Sequence, residues 1–456
     1  MTSDGLTQSV EKMRAEGLGD AAIATFEHYY GRLRDGDTGV LPEDDLEPVA
    51  ELPDADELPD ADPGEALDQA VVLKLNGGLG TSMGMTQAKS LLEVKDGMTF
   101  LDVIARQVLR QRERTGARLP LVLMNSFATR DDSLAALRAH DGIEADVPLD
   151  FVQNKVPKVL ADDLTPASWP ADPAKEWAPP GHGDLYTALV TSGILEALLD
   201  RGYRYAFVSN SDNLGAVLDP RILAWFAAEG MPFLMEAADR TEADRKGGHV
   251  ARRRDGGGLV LREVAQTPDE DLDAFQDVGR HRFFNTNTIW LNLPALQEVL
   301  DRQGGVLGLP MIVNRKTVDP GDTSSPAVVQ LETAMGAAID VFDGAQAVRV
   351  PRDRLVPVKT TNDLLVVRSD AYVLDDDARL ALDPSRDAAP LVDLDPDHFK
   401  LLADFDARLP AGPPSLVACE RLKVVGDVTF GRDVVCRGTV VVDGPARVDD
   451  GAVLEG

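Results

Sequence analysis

Residues 74–90 read Lys74-Leu-Asn-Gly-Gly-Leu-Gly-Thr-Ser-Met-Gly-Met-Thr-Gln-Ala-Lys89-Ser90. The stretch follows the apolar, β-prone run Ala70–Leu75, so it lies where a strand leaves a sheet. Gly77, Gly78, Gly80 and Gly84 let the backbone approach a ligand closely, and successive N–H groups in such a loop form a concavity suited to phosphate oxygens. Lys89 adds a positive charge a few residues later. A glycine loop followed by a lysine points to a nucleoside triphosphate. The two commonest phosphate loops do not fit. A P-loop ending at Lys89 requires Gly at 83 and 88, where the chain has Met83 and Ala88, and a Rossmann G-x-G-x-x-G starting at Gly78 fails at Met83 as well.

Outward from this loop, short β-prone runs alternate with helical patterns. Strands are predicted at Val71–Leu75, Leu121–Met124, Ala206–Ser209, Pro232–Glu236, Leu259–Val264 and Thr288–Leu291. Helices are predicted at Thr99–Arg114, Arg130–Ala139, Asp184–Leu199, Arg221–Ala228, Pro294–Arg302, Gln330–Val341 and Asn362–Ser369. This alternation predicts an α/β sheet with helices on both faces, with ligands at the carboxyl ends of strands. Residues 1–40 carry amphipathic patterns at Gln8–Glu16 and Asp20–Arg34, and residues 42–65 read as an irregular, extended acidic linker. From Val424 to about Leu454, short valine runs alternate with Gly or Gly-Asp turns roughly every six residues. That pattern resembles a short hexapeptide β-helix, with a plain β-meander as the alternative. Three regions follow: residues 1–66 as helical segment and acidic linker, 67–375 as catalytic domain, and 376–456 as linker and β-helix.

The 456 residues carry a net charge of −31, which argues against a nucleic-acid partner. No run of eighteen apolar residues is present, so no membrane span is expected, and Met1–Asp4 does not open a secretory leader. Cys419 and Cys436 form no metal motif and read as reduced core thiols of a cytoplasmic protein.

Further segments carry chemistry. Pro179-Pro-Gly-His-Gly-Asp184 opens a helical run, and helix N-termini favour anions. Val208-Ser-Asn-Ser-Asp-Asn-Leu-Gly215 ends a strand with polar side chains, and a strand-end Asp suits Mg²⁺, a hard cation that takes oxygen ligands. Arg245-Lys-Gly-Gly-His249, Leu261-Arg-Glu-Val264 and Phe284-Asn-Thr-Asn-Thr288 place Glu and Asn side chains where hexose hydroxyls can exchange hydrogen bonds with them. Lys359, in Val350-Pro-Arg-Asp-Arg-Leu-Val-Pro-Val-Lys-Thr360, sits at a helix start, where a cation is unfavourable unless an anion compensates it.

Together with the opening loop, these segments resemble, in the same order, the UTP–glucose-1-phosphate uridylyltransferase family of eukaryotic type. The resemblance spans about residues 70–375 plus the β-helix tail. It implies a Rossmann-like, GT-A-like nucleotidyltransferase fold with a mixed sheet and a C-terminal left-handed β-helix. It implies nucleotide binding by Leu75, Asn76, Gly77, Gly78, Lys89, Gln153 (uracil), Gly181, Asn210 and Asp212, with Asp212 the Mg²⁺ ligand. Sugar phosphate binding falls to His182, Gly247, Glu263, Asn285, Asn287 and Lys359, and the catalytic charges to Lys89 and Lys359. The implied reaction joins UTP and glucose 1-phosphate to give UDP-glucose and pyrophosphate. Transfer to N-acetylhexosamine 1-phosphate or to several sugar phosphates is the sister reading, and a non-catalytic UDP-sugar-binding subunit is the reading from another class. An uncapped β-helix leaves an edge that can pair, so a homo-oligomer through the tail is an expectation. The sequence departs from the family pattern at Met85, Gln87 and Ala88 in the loop, and at Thr288, where a second Asn is usual.

Overall fold

In the run Ala70–Asn76 six of the seven residues are buried, as suits a strand covered by helices on both faces. In the computed structural model, which describes residues 4–456, this run forms the middle of a ten-stranded mixed sheet. Its strands are β1 (Leu46–Pro48), β2 (Ala70–Asn76), β3 (Leu121–Asn125), β4 (Asp150–Val152), β5 (Tyr205–Asn210), β6 (Phe233–Asp239), β7 (His249–Arg253), β8 (Leu259–Arg262), β9 (Phe283–Asn292) and β10 (Gln346–Arg349). The order is β1-β7-β9-β5-β2-β3-β4, with β6 joined to β9 and β10, and β8 joined to β7. The half around β2 is parallel: β2 pairs with β3 and β5, and β3 with β4. The half around β9 is antiparallel, through β5, β6 and β7.

Helices cover both faces. Phe100–Thr115 and Pro220–Ala228 bury apolar residues in a core with Val72, Phe207 and Trp290, while Asp184–Thr191, Ile194–Asp200 and Leu293–Arg302 close the opposite face over Val71, Leu73 and Val208. The first of these shows how local sequence sets its limits. Thr99 and Asp102 form a reciprocal capping box at its start, and Gly116 ends it at φ +72°.

Three readings change. The helix predicted over Gln330–Val341 is a strand, Ala327–Thr333, followed by a 3₁₀ turn at Met335–Asp340. The strand pairs in full with Met311–Thr317 and buries Val329 and Leu331 in the core shared with the N-terminal helices, so long-range pairing overrides local preference. The helix predicted over Asp184–Leu199 breaks at Gly193, which sits at φ +74°. The acidic stretch 42–65 is extended but not loose. Leu46 is fully buried, β1 extends the central sheet, and Asp54 pairs with Arg349 at 2.5 Å.

The N-terminal helices, Gly5–Ala15 and Asp20–Arg34, share a core with Val156, Val159 and Met311. At the other end, Leu391–Leu394, Ser415–Val425, Val435–Asp443 and Val453–Glu455 form a parallel sheet, and Val428–Phe430 pairs in parallel with Ala446–Val448. Val424 lies opposite Val442, Val428 opposite Ala446 and Val435 opposite Val453, so the chain returns every eighteen residues. A meander would be antiparallel and is excluded. Cys419 and Cys436 are buried and form no disulfide. Among the described residues no helix is long and apolar enough to cross a membrane.

Candidate active site

Strands β2, β3 and β5 run parallel and end together, and a cavity of about 340 Å³ opens at those ends. Leu75, Gly77, Gly78, Lys89, Gln153, Gly181, His182, Asn210 and Asp212 line it. These nine come from four separate segments of the chain. Asn76 is the exception among the nucleotide candidates. Its side chain is buried, donates to Asn125 Oδ1 (2.7 Å) and Ser133 Oγ (2.8 Å), and accepts from Ser211 Oγ (3.1 Å). It clamps the three strand ends from behind the cavity.

The glycines are needed for close packing. A Cβ on Gly77 would lie 2.5 Å from Gln153 Oε1, so the bare backbone lets the Gln153 amide close over the loop. Gly181 has φ +78°, and a Cβ there would strike the Thr333 backbone. The loop then folds back, Lys89 N–H donating to Gly78 O (3.1 Å), and this turns the Lys89 side chain toward Asp212, 2.6 Å from Nζ to Oδ2. Met85 is buried against Gly80 beneath the loop.

His182 accepts from Met335 N–H through Nδ1 (3.1 Å), which leaves Nε2 as its donor. Desolvation by the surrounding protein lowers its pKa to about 4, so it is neutral at physiological pH. The next helix is fixed by Asp184, which accepts from the Asn154 backbone N–H (2.6 Å) and Nδ2 (2.9 Å); burial raises its pKa to about 7.

The sugar candidates lie on the antiparallel half. Gly248 O accepts from Asn285 N–H (3.0 Å), and a Cβ on Gly248 would sit 2.6 Å from the Glu263 carboxylate. A Cβ on Gly247 would overlap the Phe284 ring, leaving no room for a side chain. Asn285 Nδ2 donates to Asn287 Oδ1, and Asn287 N–H to Asn285 Oδ1, both at 3.0 Å. Asn287 has φ +55°, at a bulge where β9 slips register against Glu236 and Ala237 of β6. Left-handed backbone in a non-glycine residue at a bulge is a usual mark of a side chain re-aimed for function. Burial raises Glu263 to about 7, and the Lys359 charge opposes the rise. Thr288 is fully buried, so the departure from the family pattern there points into the core.

The two sides meet in two places. His182 touches Met335, and the adjacent Gly336 packs against Asn285 Nδ2. Val358 N–H donates to Asp212 O (3.3 Å), which sets Lys359 beside the Asp212 loop and facing the Glu263 side. Lys359 is exposed, and its Nζ has no hydrogen-bond or salt-bridge partner among the described residues.

The site residues named from sequence leave out three that line the cavity, Met124, Pro179 and Ser211, although each lies in a segment the sequence singled out. Their strand-end positions were the available signal. The sequence reading also missed what lies beneath the sugar side. Glu43, from the acidic stretch, pairs with Arg262 (2.5 Å), Arg280 (2.6 Å) and His281 (3.1 Å) just under Glu263. No local pattern announces those pairings.

Residues 23–437 match the family model described as UTP--glucose-1-phosphate uridylyltransferase. The chain belongs to this family. A UTP--glucose-1-phosphate uridylyltransferase of Solanum tuberosum is 40% identical over 425 residues, covering 92% of this chain and 85% of the relative. One from Saccharomyces cerevisiae is 42% identical over 395 residues, covering 85% and 77%. Among solved structures, a UDP-glucose pyrophosphorylase variant from Leishmania major in complex with UDP-glucose superposes with a TM-score of 0.92 at 46% identity, covering 100% of this chain and 99% of that one. A UDP-glucose phosphorylase from Trypanosoma brucei gives 0.90 at 46% identity, covering 99% and 98%. The uridylyltransferase family thus accounts for both the loop that fits neither common template and the order of the later segments.

Proposed function

We propose that this chain is a nucleotidyltransferase that moves UMP from UTP to glucose 1-phosphate, reversibly, giving UDP-glucose and pyrophosphate. The observation that carries the reading is the convergence on one loop: Asp212 takes Lys89 on its carboxylate, and its backbone carbonyl holds the segment bearing Lys359. That convergence supports a reading in which two lysines distant along the chain serve the two reacting phosphates.

The uracil lies against Gln153 and Gly77, with the triphosphate running past Gly78 toward Lys89. Glu263, Asn285 and Asn287 take the hexose hydroxyls, and His182 offers Nε2–H to the sugar phosphate. A phosphate oxygen of glucose 1-phosphate attacks the α-phosphorus of UTP in line. The bond from that phosphorus to the bridging oxygen breaks, and pyrophosphate leaves with its electrons. No side chain becomes covalently bound. Lys89 and Lys359 neutralise charge where the anions approach, the kind of preorganised stabilisation worth about 2.7–4 kcal/mol per group.

Asp212 presents one carboxylate to the cavity, and no three acidic, His or Cys side chains among the described residues form a metal cage. One carboxylate completed by substrate phosphates is how Mg²⁺ is commonly held, so the donor set fits Mg²⁺ arriving with the nucleotide. When bound, Mg²⁺ would supply further neutralisation of the triphosphate.

We also infer a GT-A-like catalytic fold and a left-handed β-helix tail, supported by the mixed sheet and by the eighteen-residue return of the parallel strands. The Val453–Glu455 edge would carry any pairing between copies. The function is tested by pyrophosphate release across four nucleoside triphosphates and the 1-phosphates of glucose, galactose and N-acetylglucosamine. The highest kcat/KM is expected for UTP with glucose 1-phosphate. No release by the isolated chain would leave only a UDP-sugar-binding role, and preference for the acetamido sugar would move the assignment to the sister activity.

A further inference from the structure

The Lys359 backbone N–H donates to Asp363 Oδ2 (2.8 Å), but its Nζ has no hydrogen-bond or salt-bridge partner among the described residues, so the ammonium is placed by the segment that carries it. That segment, residues 351–360, has almost no ladder. It holds a 3₁₀ turn at Arg352–Arg354 and a single bridge between Asn213 and Pro357, and Pro351 and Pro357 lack donors. Apart from the Val358 N–H bond to Asp212 O, side chains do the holding. Asn213 accepts from Val356 N–H (2.8 Å) and donates to Arg354 O (3.1 Å). Arg354 turns inward, gives Nε to Glu236 Oε2 (2.8 Å) and Nη2 to Glu236 Oε1 (2.6 Å), and reaches Val217 O (2.9 Å).

Glu236 is fully buried in β6, and its second partner is Trp290 Nε1 at 2.9 Å. Its backbone carbonyl accepts from Thr286 Oγ1 (2.8 Å), at the register slip that throws Asn287 into its left-handed conformation. One residue thus grips the lysine segment with its side chain and the asparagine bulge with its main chain. Stability alone does not call for this arrangement, since a buried ion pair is often no better than apolar residues of the same volume. A two-pronged Arg–carboxylate pair does fix orientation, which a lysine in place of the arginine cannot do.

We propose that Glu236 is a positioning residue: through Arg354 and through Thr286 it registers Lys359 against the sugar-binding asparagines. This rests on the reading above that Lys359 meets the reacting phosphates. Lys359 Nζ must be aimed within a fraction of an ångström, and misplacement of about 1 Å from a distant change costs on the order of a hundredfold in rate.

The test combines steady-state kinetics, UDP-glucose calorimetry and thermal melting for Arg354→Lys, Glu236→Gln, Lys359→Ala, Thr286→Val and the Glu236→Gln/Lys359→Ala double variant. Arg354→Lys and Glu236→Gln should lower kcat about ten- to hundredfold, with KM for UTP changed by less than about twofold. The double variant should be no slower than Lys359→Ala, because misplacing an absent lysine costs nothing further. Thr286→Val should raise KM for glucose 1-phosphate and leave that for UTP alone. An unchanged kcat in Arg354→Lys, additive losses in the double variant, or an unaffected sugar KM in Thr286→Val would overturn the inference. Should Glu236→Gln fail to fold, Arg354→Lys decides, since it keeps the charge opposite Glu236. Near-normal kcat in Lys359→Ala would instead remove the role assigned to Lys359 itself, a result separable from failure of the positioning claim.

Discussion

On the nucleotide side of the cleft, the groups that would meet the ligand come from the ends of parallel strands and from loops that begin within a residue or two of them. Leu75, Asn210 and the Gly77–Gly78 pair need only the register of β2 against β5 to come together. On the sugar side, Asn285 and Asn287 stand on an antiparallel strand beside a bulge, and Glu263 just follows a strand whose last residue, the buried Arg262, pairs with Glu43 more than two hundred residues earlier. Lys89 has its carboxylate partner at 2.6 Å, whereas the Lys359 ammonium is exposed and has no hydrogen-bond or salt-bridge partner among the described residues. The comparison teaches that the candidate phosphate cradle can be written as one local string of glycines, whereas the candidate hexose side, which would have to match several hydroxyls in space, is assembled from distant parts.

Loss of the unpartnered lysine should separate the two sides most sharply. Lys359→Ala should lower kcat by about 10²–10³-fold while calorimetry still finds the nucleotide bound. If nucleotide affinity falls equally, the sides are not independent. Next in size is Gly181→Ala. A Cβ there meets the Thr333 backbone and the φ of +78° penalises an L side chain, so KM for UTP should rise about tenfold or more, measured at saturating glucose 1-phosphate.

Asn287 offers the matching probe on the sugar side. Asn287→Gly removes the side chain and tolerates the φ of +55°, whereas Asn287→Ala removes the amide but keeps a Cβ that opposes that φ. Both should raise KM for glucose 1-phosphate about tenfold without moving that for UTP. Only the alanine variant should lose a further ~1–2 kcal/mol of stability in denaturant melts. If the glycine variant is the less stable, the bulge is not held by the conformation of residue 287.

The smallest effect concerns pH. Burial raises Glu263 from 4.5 to about 7, against the pull of Lys359. A carboxyl whose folded pKa is raised binds protons more tightly in the native state, so its contribution to stability is complete below about pH 4.5 and lost as pH rises through about 7. Glu263→Gln should remove that slope. Its melting temperature relative to the parent should climb by a few degrees between pH 4.5 and 7 and stay level above. A flat difference across that window would mean the Glu263 carboxyl is solvated.

How much of this was legible follows the same division. Eight of the nine nucleotide candidates line one cavity with His182, because each sits next to a strand end or a glycine turn that local sequence marks. The side chain of Asn76 does not line the cavity because strand alternation sends it to the face opposite Leu75, where Asn125, Ser133 and Ser211 engage it. The helix expected at Gln330–Val341 failed because pairing with Met311–Thr317 decides its conformation. The acidic stretch read as a linker because nothing near Glu43 in sequence announces Arg262 or Arg280.

By itself, the sequence determined the α/β alternation, the glycine loop with its lysine, the family and the strand ends at which a nucleotide would sit. These depend on residue type and on spacing over a few positions, where chain geometry leaves few alternatives. Only the tertiary structure decided that Lys89 reaches Asp212, that Asn287 is left-handed at a bulge, and that the segment bearing Lys359 hangs from Glu236 through Arg354. Each of those joins residues distant along the chain by hydrogen bonds or charge at close range, and such contacts exist only once the two surfaces have been packed together.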